Sequence, residues 1–124
     1  MTLRTGRGRR GTWIQLLILR ILYEAPLHGY ALNEKINRYL KGRRPLKPGS
    51  LYTILRRMEK DGLLESTWDE ESSKVNRRVY ELSEQGIHRL AEGRSIVDSQ
   101  MSILIEMKQF YNEYFRDDES NDRK

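Results

Sequence analysis

The stretch PGSLYTILRRMEKDGLLE, residues 48–65, decides the fold. Its apolar residues Leu51, Ile54, Leu55 and Met58 recur at the helical spacing that gathers them on one side. Tyr52, Thr53, Arg56, Arg57 and Lys60 then fall on the other side. Pro48 suits the first helical position, where its missing N–H is no loss. Asp61-Gly62 reads as a helix stop. The outward positions from 50 to 57 contain no acid, and Glu59 is the first. An ordinary surface helix mixes acids and bases. This one offers hydroxyls, a phenol and cations, the groups that hold phosphates and base edges.

Working back from this helix, KGRRPLKPG at residues 41–49 is a turn punctuated by Gly42, Pro45, Pro48 and Gly49. A preceding helix is predicted from about His28 to Leu40, with Leu32, Ile36 and Leu40 on one face and Tyr39 beside them. Pro26 and Gly29 separate it from a first helix over residues 12–24, for which Thr12 is a plausible N-cap. Apolar residues surround that first helix instead of forming a stripe, so it has to be covered on more than one side. Residues 1–11, MTLRTGRGRRG, carry Arg4, Arg7, Arg9 and Arg10 among glycines and read as a flexible basic arm. Such an arm either touches DNA or is a solvated tail.

Working forward, LLESTW and RRVYEL read as two strands of a hairpin, with Arg78, Tyr80 and Leu82 on one face of the second. The polar segment between them, DEESSKVN, reads as a loop. Asp69, Glu70 and Glu71 there would be a solvated approach, and Lys74, Arg77 and Arg78 backbone contacts to a nucleic acid; the alternative is a wing pointing away from DNA. A long helix is predicted from after Ser83, a good N-cap, to about Phe115. Val97, Leu104 and Tyr111 form one heptad series in it, and Ile96, Ile103 and Phe110 another. The apolar stripe is wider than a coiled-coil seam and implies contact with at least two other helices. Residues 116–124 are expected to be a disordered tail.

The predicted architecture is mainly α, an α+β winged helix-turn-helix. It comprises a DNA-binding domain at residues 12–83, with a three-helix core and a two-stranded wing, and a dimerisation helix at residues 84–115. Charge follows this division. Residues 1–80 carry 17 Lys or Arg against 8 Asp or Glu, whereas residues 81–124 carry 6 against 10. A basic front half suits a polyanion. At 124 residues a single domain has a marginal core, for which oligomerisation is a natural remedy.

Other chemistries find little support. The chain has no cysteine, which excludes disulfides, thiolate catalysis and zinc fingers and fits a cytoplasmic protein. His28 and His88 read as surface or capping residues, with no ligand spacing around either. No catalytic constellation or phosphate-cradling glycine loop is present. No cofactor, metal or enzymatic activity is therefore expected. The apolar run WIQLLILRILYEA is interrupted by Gln15 and Arg20, has Glu24 where a cleavage motif wants small residues, and falls short of a membrane span.

Three segments carry a resemblance: LLILRILYEAPLHGYAL, PGSLYTILRRMEKDGLLES and RRVYELSEQG. Gly29-Tyr30, Gly49-Ser50-Leu51-Tyr52-Thr53, Leu55, Arg57-Met58-Glu59, Gly62-Leu63, and Arg77, Arg78, Tyr80, Leu82, Ser83 and Gly86 are similar as a set to the pattern of PadR-family transcriptional regulators. The resemblance covers about residues 14–92. It implies a homodimeric winged-helix repressor in which the last helix packs on the partner's first helix. DNA contacts carried over by position fall on Tyr30, Ser50, Tyr52, Thr53 and the wing bases Lys74, Arg77 and Arg78. Lys47, Arg56 and Arg57 join them from charge and placement. The expected dimer interface comprises Leu17, Ile21, Val97, Met101, Leu104, Met107, Phe110, Tyr111 and Tyr114. Thr53 stands where the family pattern has proline. The last helix lacks the tryptophan that some short members use to bind planar drugs at the dimer centre, so a drug-sensing pocket of that type is not expected; a small-molecule effector, if there is one, is unknown. Double-stranded DNA is the expected partner, with a winged-helix protein-interaction module as the alternative.

Overall fold

The computed structural model describes residues 8–69 and 77–116, with side chains from residue 11 onward. Most of the N-terminal arm, Glu70, Glu71, Lys74 and most of the C-terminal tail lie outside the described residues. The described elements, in chain order, are α1 (Gly8–Glu24), β1 (Leu27–His28), α2 (Gly29–Leu40), α3 (Pro48–Lys60), β2 (Leu64–Trp68), β3 (Arg78–Leu82) and α4 (Glu84–Tyr114). They divide into two units, Met1–Ala91 and Glu92–Lys124.

The first unit is a winged helix-turn-helix. Its core gathers Ile14, Ile18, Leu19 and Leu22 of α1, Leu32 and Ile36 of α2, and Leu51, Leu55 and Met58 of α3, all buried. The helical spacing read for α3 is therefore its packing face, with Ile54 partly buried at the edge. Leu64 and Tyr80 close the core from the sheet.

Two features differ from the sequence expectation. The helix α1 starts at Gly8, so Thr12 lies inside it and not at its cap. Arg9 and Arg10 are good helix formers, and a glycine costs a helix only about 1 kcal/mol, too little to stop it. The wing is one edge of a three-stranded sheet, in the order β1-β3-β2, not a two-stranded hairpin. The extra strand is two residues long and pairs Leu27 with Tyr80 and His28 with Val79. It exists through that pairing alone, which hydropathy periodicity does not reveal.

The joints are tightly specified. After α3, Leu63 N–H donates to the Met58 carbonyl at 2.9 Å and Gly62 N–H to the Glu59 carbonyl at 3.0 Å. This double closure is a Schellman motif, and it needs Gly62 at φ +84°. Ser83 then starts α4. Its Oγ accepts from Gly86 N–H at 3.0 Å and donates to the Gly62 carbonyl at 2.6 Å. Glu84 places a negative charge in the first turn, where the helix dipole favours it. These bonds fasten the start of α4 to the α3–β2 turn within the first unit.

Candidate nucleic-acid interface

The position of α3 is set by the turn before it. Leu46, only 8% exposed, is gripped by two asparagines of α2. Its N–H donates to Asn37 Oδ1 at 2.7 Å, and its carbonyl accepts from Asn37 Nδ2 at 3.0 Å and Asn33 Nδ2 at 3.1 Å. The same turn holds Lys41 and Arg44 in the left-handed region, at φ 53° and 47°. Each costs roughly 1–2 kcal/mol for a residue with a Cβ. The asparagine bracket offsets this and delivers Lys47 as the N-cap and Pro48 as the first residue of α3.

Beyond that bracket, α3 exposes Ser50, Tyr52, Thr53, Arg56, Arg57 and Lys60. Thr53 Oγ1 donates back to the Gly49 carbonyl at 3.1 Å. Its hydroxyl hydrogen is thereby used inside the helix, and the residue offers outward its oxygen lone pairs and methyl group. Lys47 is exposed at the N-cap position, and no ion pair among the described residues engages Arg56 or Arg57.

A cleft of about 830 Å³ opens between α3, the start of α2 and the sheet. It brings together Tyr30, Tyr52, Arg56, Arg77 and Arg78 from the expected contacts. Lys47, Ser50, Thr53 and Arg57 do not line it. His28, Gly29, Glu59 and Tyr80 do, and the sequence reading had not placed them there. Tyr80 carried a positional signal, since strand alternation put it on the face of Arg78, whereas Gly29 and Glu59 stood out only as part of the family-like pattern. Three guanidinium groups outnumber the one carboxylate, so the cleft is cationic.

The wing side chains are ordered by their register. Trp68 pairs with Arg78 and Ser66 with Tyr80 across β2 and β3. The Arg78 guanidinium lies over the Trp68 ring, 4.3 Å from its centroid, and donates to Ser66 Oγ at 2.6 Å. Ser66 in turn donates to Glu59 Oε2 at 2.7 Å. Arg78 is thus half-buried in a chain that joins the wing to α3. Burial pushes the Tyr80 phenol above its ordinary value, against the opposing influence of Arg78.

His28 is not a capping residue. It stands at the N-cap of α2 without a side-chain cap bond, and its Nε2 lies 2.7 Å from Asp69 Oδ2. Both groups are about three-quarters covered, and they span 41 residues of sequence. Asp69 is accordingly not only a solvated acid of the wing. Its N–H also donates to the Arg77 carbonyl at 2.8 Å, which extends the pairing beyond β3.

The remaining expected residues divide between the two units. Ile21 is 5% exposed, covered by the first unit itself, and Leu17 is half-buried. In the second unit, Val97, Met101, Leu104, Met107, Phe110, Tyr111 and Tyr114 are all exposed, from 37% at Val97 to 67% at Tyr114. Phe110 gathers Tyr111, Tyr114 and Phe115 at ring-centroid distances of 5.4, 5.2 and 5.9 Å. No helix among the described residues is long and apolar enough to cross a membrane. Among those residues no group of His, Asp or Glu could hold a metal.

The fold has counterparts in known proteins. A PadR family transcriptional regulator from Eggerthella lenta is 33% identical, with 85% of each chain covered and a TM-score of 0.60. A PadR-like transcriptional regulator from Bacillus cereus is 27% identical over 77% of this chain and 90% of that one, at a TM-score of 0.66. Bacillus subtilis PadR, solved in complex with operator DNA, matches 63% of this chain and 44% of its own at a TM-score of 0.56; at 20% identity the likeness is one of fold. The sequence profile of the transcriptional regulator PadR-like family matches residues 18–92, the segment that builds the three helices, the sheet and the start of α4. The chain belongs to the PadR-like family and is a transcriptional regulator, not an enzyme.

Proposed function

We propose that this regulator acts as a cytoplasmic homodimeric repressor that occupies an inverted repeat in double-stranded DNA. The observation that carries this reading is the outer face of α3, where Tyr52, Thr53, Arg56, Arg57 and Lys60 are all exposed beside a cationic cleft. In a helix-turn-helix such a face enters the major groove. Arg56 and Arg57 serve guanine edges or phosphates, Tyr52 and Ser50 phosphates or base edges, and Lys47 a phosphate. Tyr30, Arg77 and Arg78 hold the backbone from either side, joined by Lys74.

Dimerisation supplies the second recognition helix. The apolar residues of α4 are too many and too exposed for an isolated chain, and a patch of this kind marks an interaction surface. A second copy covers it, with Leu17 contributing from α1; Ile21 is already covered by its own chain. Two recognition helices about 34 Å apart then meet half-sites one turn apart. Repression follows from blocking access to the bound segment.

The test is a fluorescence-anisotropy titration of a DNA fragment selected from genomic DNA by the protein. Replacing Arg56 and Arg57 together with Ala is expected to weaken binding tenfold or more, at about 1–3 kcal/mol for each specific base interaction removed. Fold and dimer remain intact. Unchanged affinity would remove α3 as the reading element.

A further inference from the structure

Gly29 has no backbone reason to be glycine. It opens α2, and its φ is outside the left-handed region that Gly42 and Gly62 occupy. Alanine would favour the helix by about 1 kcal/mol. What excludes a side chain is Tyr52. A Cβ on Gly29 would stand 2.6 Å from Tyr52 Oη, 2.7 Å from Cε1 and 2.9 Å from Cζ. The outer half of the phenol therefore rests directly on the bare α-carbon at the start of α2.

That seat is fixed more firmly than the ring it carries. His28, the preceding residue, is paired to Val79 in the sheet, and its imidazole meets Asp69 at 2.7 Å. Gly29 itself is buried, whereas Tyr52 is the far end of a long side chain and 40% exposed. A methyl group placed at residue 29 displaces the tyrosine before it displaces the helix. Tyr30 follows Gly29 directly, and Arg56 lies one turn beyond Tyr52, both lining the same cleft. The seat thus decides whether the Tyr52 hydroxyl stands among these groups.

We propose that Gly29 is a positioning residue for DNA binding: its missing side chain makes the seat that holds the Tyr52 phenol in the cleft. Operator affinity is then set in part by a residue with no side chain of its own. This rests on the reading of the cleft as a DNA surface. Tyrosine hydroxyls are among the groups that hold phosphate oxygens. Every duplex offers such oxygens, so the effect is visible without knowledge of the operator.

The experiment is a double-mutant cycle. Wild type, Gly29→Ala, Tyr52→Ala and the double variant are titrated into a labelled mixed-sequence duplex of about 30 base pairs, enough for two half-sites a turn apart. Thermal unfolding of each is recorded alongside. Removing one hydrogen bond to a phosphate corresponds to a fall in affinity of roughly tenfold. Gly29→Ala is expected to show that fall without a lower unfolding midpoint. In the Tyr52→Ala background, where the space is free, the same change is expected to alter affinity by less than about twofold, the coupling expected of residues that touch. Tyr52→Phe, which keeps the ring on its seat and removes only the hydroxyl, is expected to weaken binding as Tyr52→Ala does.

Three results overturn the proposal while leaving the DNA-binding reading in place. They are wild-type affinity in Gly29→Ala, an equal loss with and without Tyr52, and a loss matched by a lower unfolding midpoint. A wild-type chain that ignores the duplex at low salt removes the DNA reading, and the proposal with it.

Discussion

The asparagine bracket that aims α3 makes a quantitative prediction. Asn37→Ala removes both of its hydrogen bonds to Leu46. The Leu46 carbonyl keeps Asn33, but its N–H loses its acceptor at a residue only 8% exposed. Stranding such a donor costs about 1–3 kcal/mol, and the other bond adds up to about 1. Asn33→Ala removes one bond to a Leu46 carbonyl that Asn37 still serves, for about 0.5–1 kcal/mol, while the long 3.4 Å bond from Asn37 Nδ2 to Asn33 Oδ1 is lost in both variants and cancels. Both positions lie inside α2, so the gain of about 0.5 kcal/mol from alanine's helix propensity cancels in the comparison. The difference between the variants is about 2 kcal/mol, or roughly 8 °C in unfolding midpoint at about 4 °C per kcal/mol for a chain of this size. Circular dichroism during a thermal ramp measures it, with both variants in one buffer. Equal midpoints, or a lower one for Asn33→Ala, would refute the bracket as the device that sets the turn. Asn37→Ala is also expected to weaken duplex binding at temperatures where it is still folded, because the start of α3 is no longer fixed.

Gly86→Ala tests the fastening of α4. A Cβ there would collide with the Leu63 carbonyl oxygen, which also accepts from Ser83 N–H and cannot move away. The expected loss is about 1–3 kcal/mol in chemical denaturation. Gly49→Ala, in α3 with open space around it, is the control and is expected to be neutral or stabilising by up to about 1 kcal/mol. For the α4 face, Leu104→Asp or Phe110→Asp is expected to yield monomers or aggregates on size exclusion. A normal dimer from either variant contradicts the interface.

Much of the molecule was legible because its signals are local. Pro48, the spacing of Leu51, Leu55 and Met58, and Gly62 bound α3 without ambiguity, and Ser83 announced α4 by its capping chemistry. The width of the α4 stripe was equally plain, since exposed Leu104, Phe110 and Tyr111 have no polar periodicity to hide behind. What escaped is made of pairs distant in sequence. β1 is defined only by the strand it joins. The His28–Asp69 contact closes 41 residues, and hydropathy carries no record of it. Asn33 and Asn37 carry no pattern that marks them in the sequence, yet their amides hold the backbone of the turn. The sequence places Arg78 among the wing bases that contact a nucleic-acid backbone, and says nothing of an aromatic neighbour. Its place over Trp68 follows from a strand register that fixes which residues face each other. Gly29 reads in the sequence as a helix break, and the close approach of Tyr52 to it is visible only in the fold.

The central claim is that a cationic helix face on a paired molecule binds duplex DNA. Its most direct test is the affinity for duplex DNA measured across a range of salt concentrations. With about six to ten phosphates neutralised by the two protomers, log affinity should fall linearly with log salt, with a slope of roughly −5 to −9. A slope near zero, or no binding in dilute buffer, would contradict it.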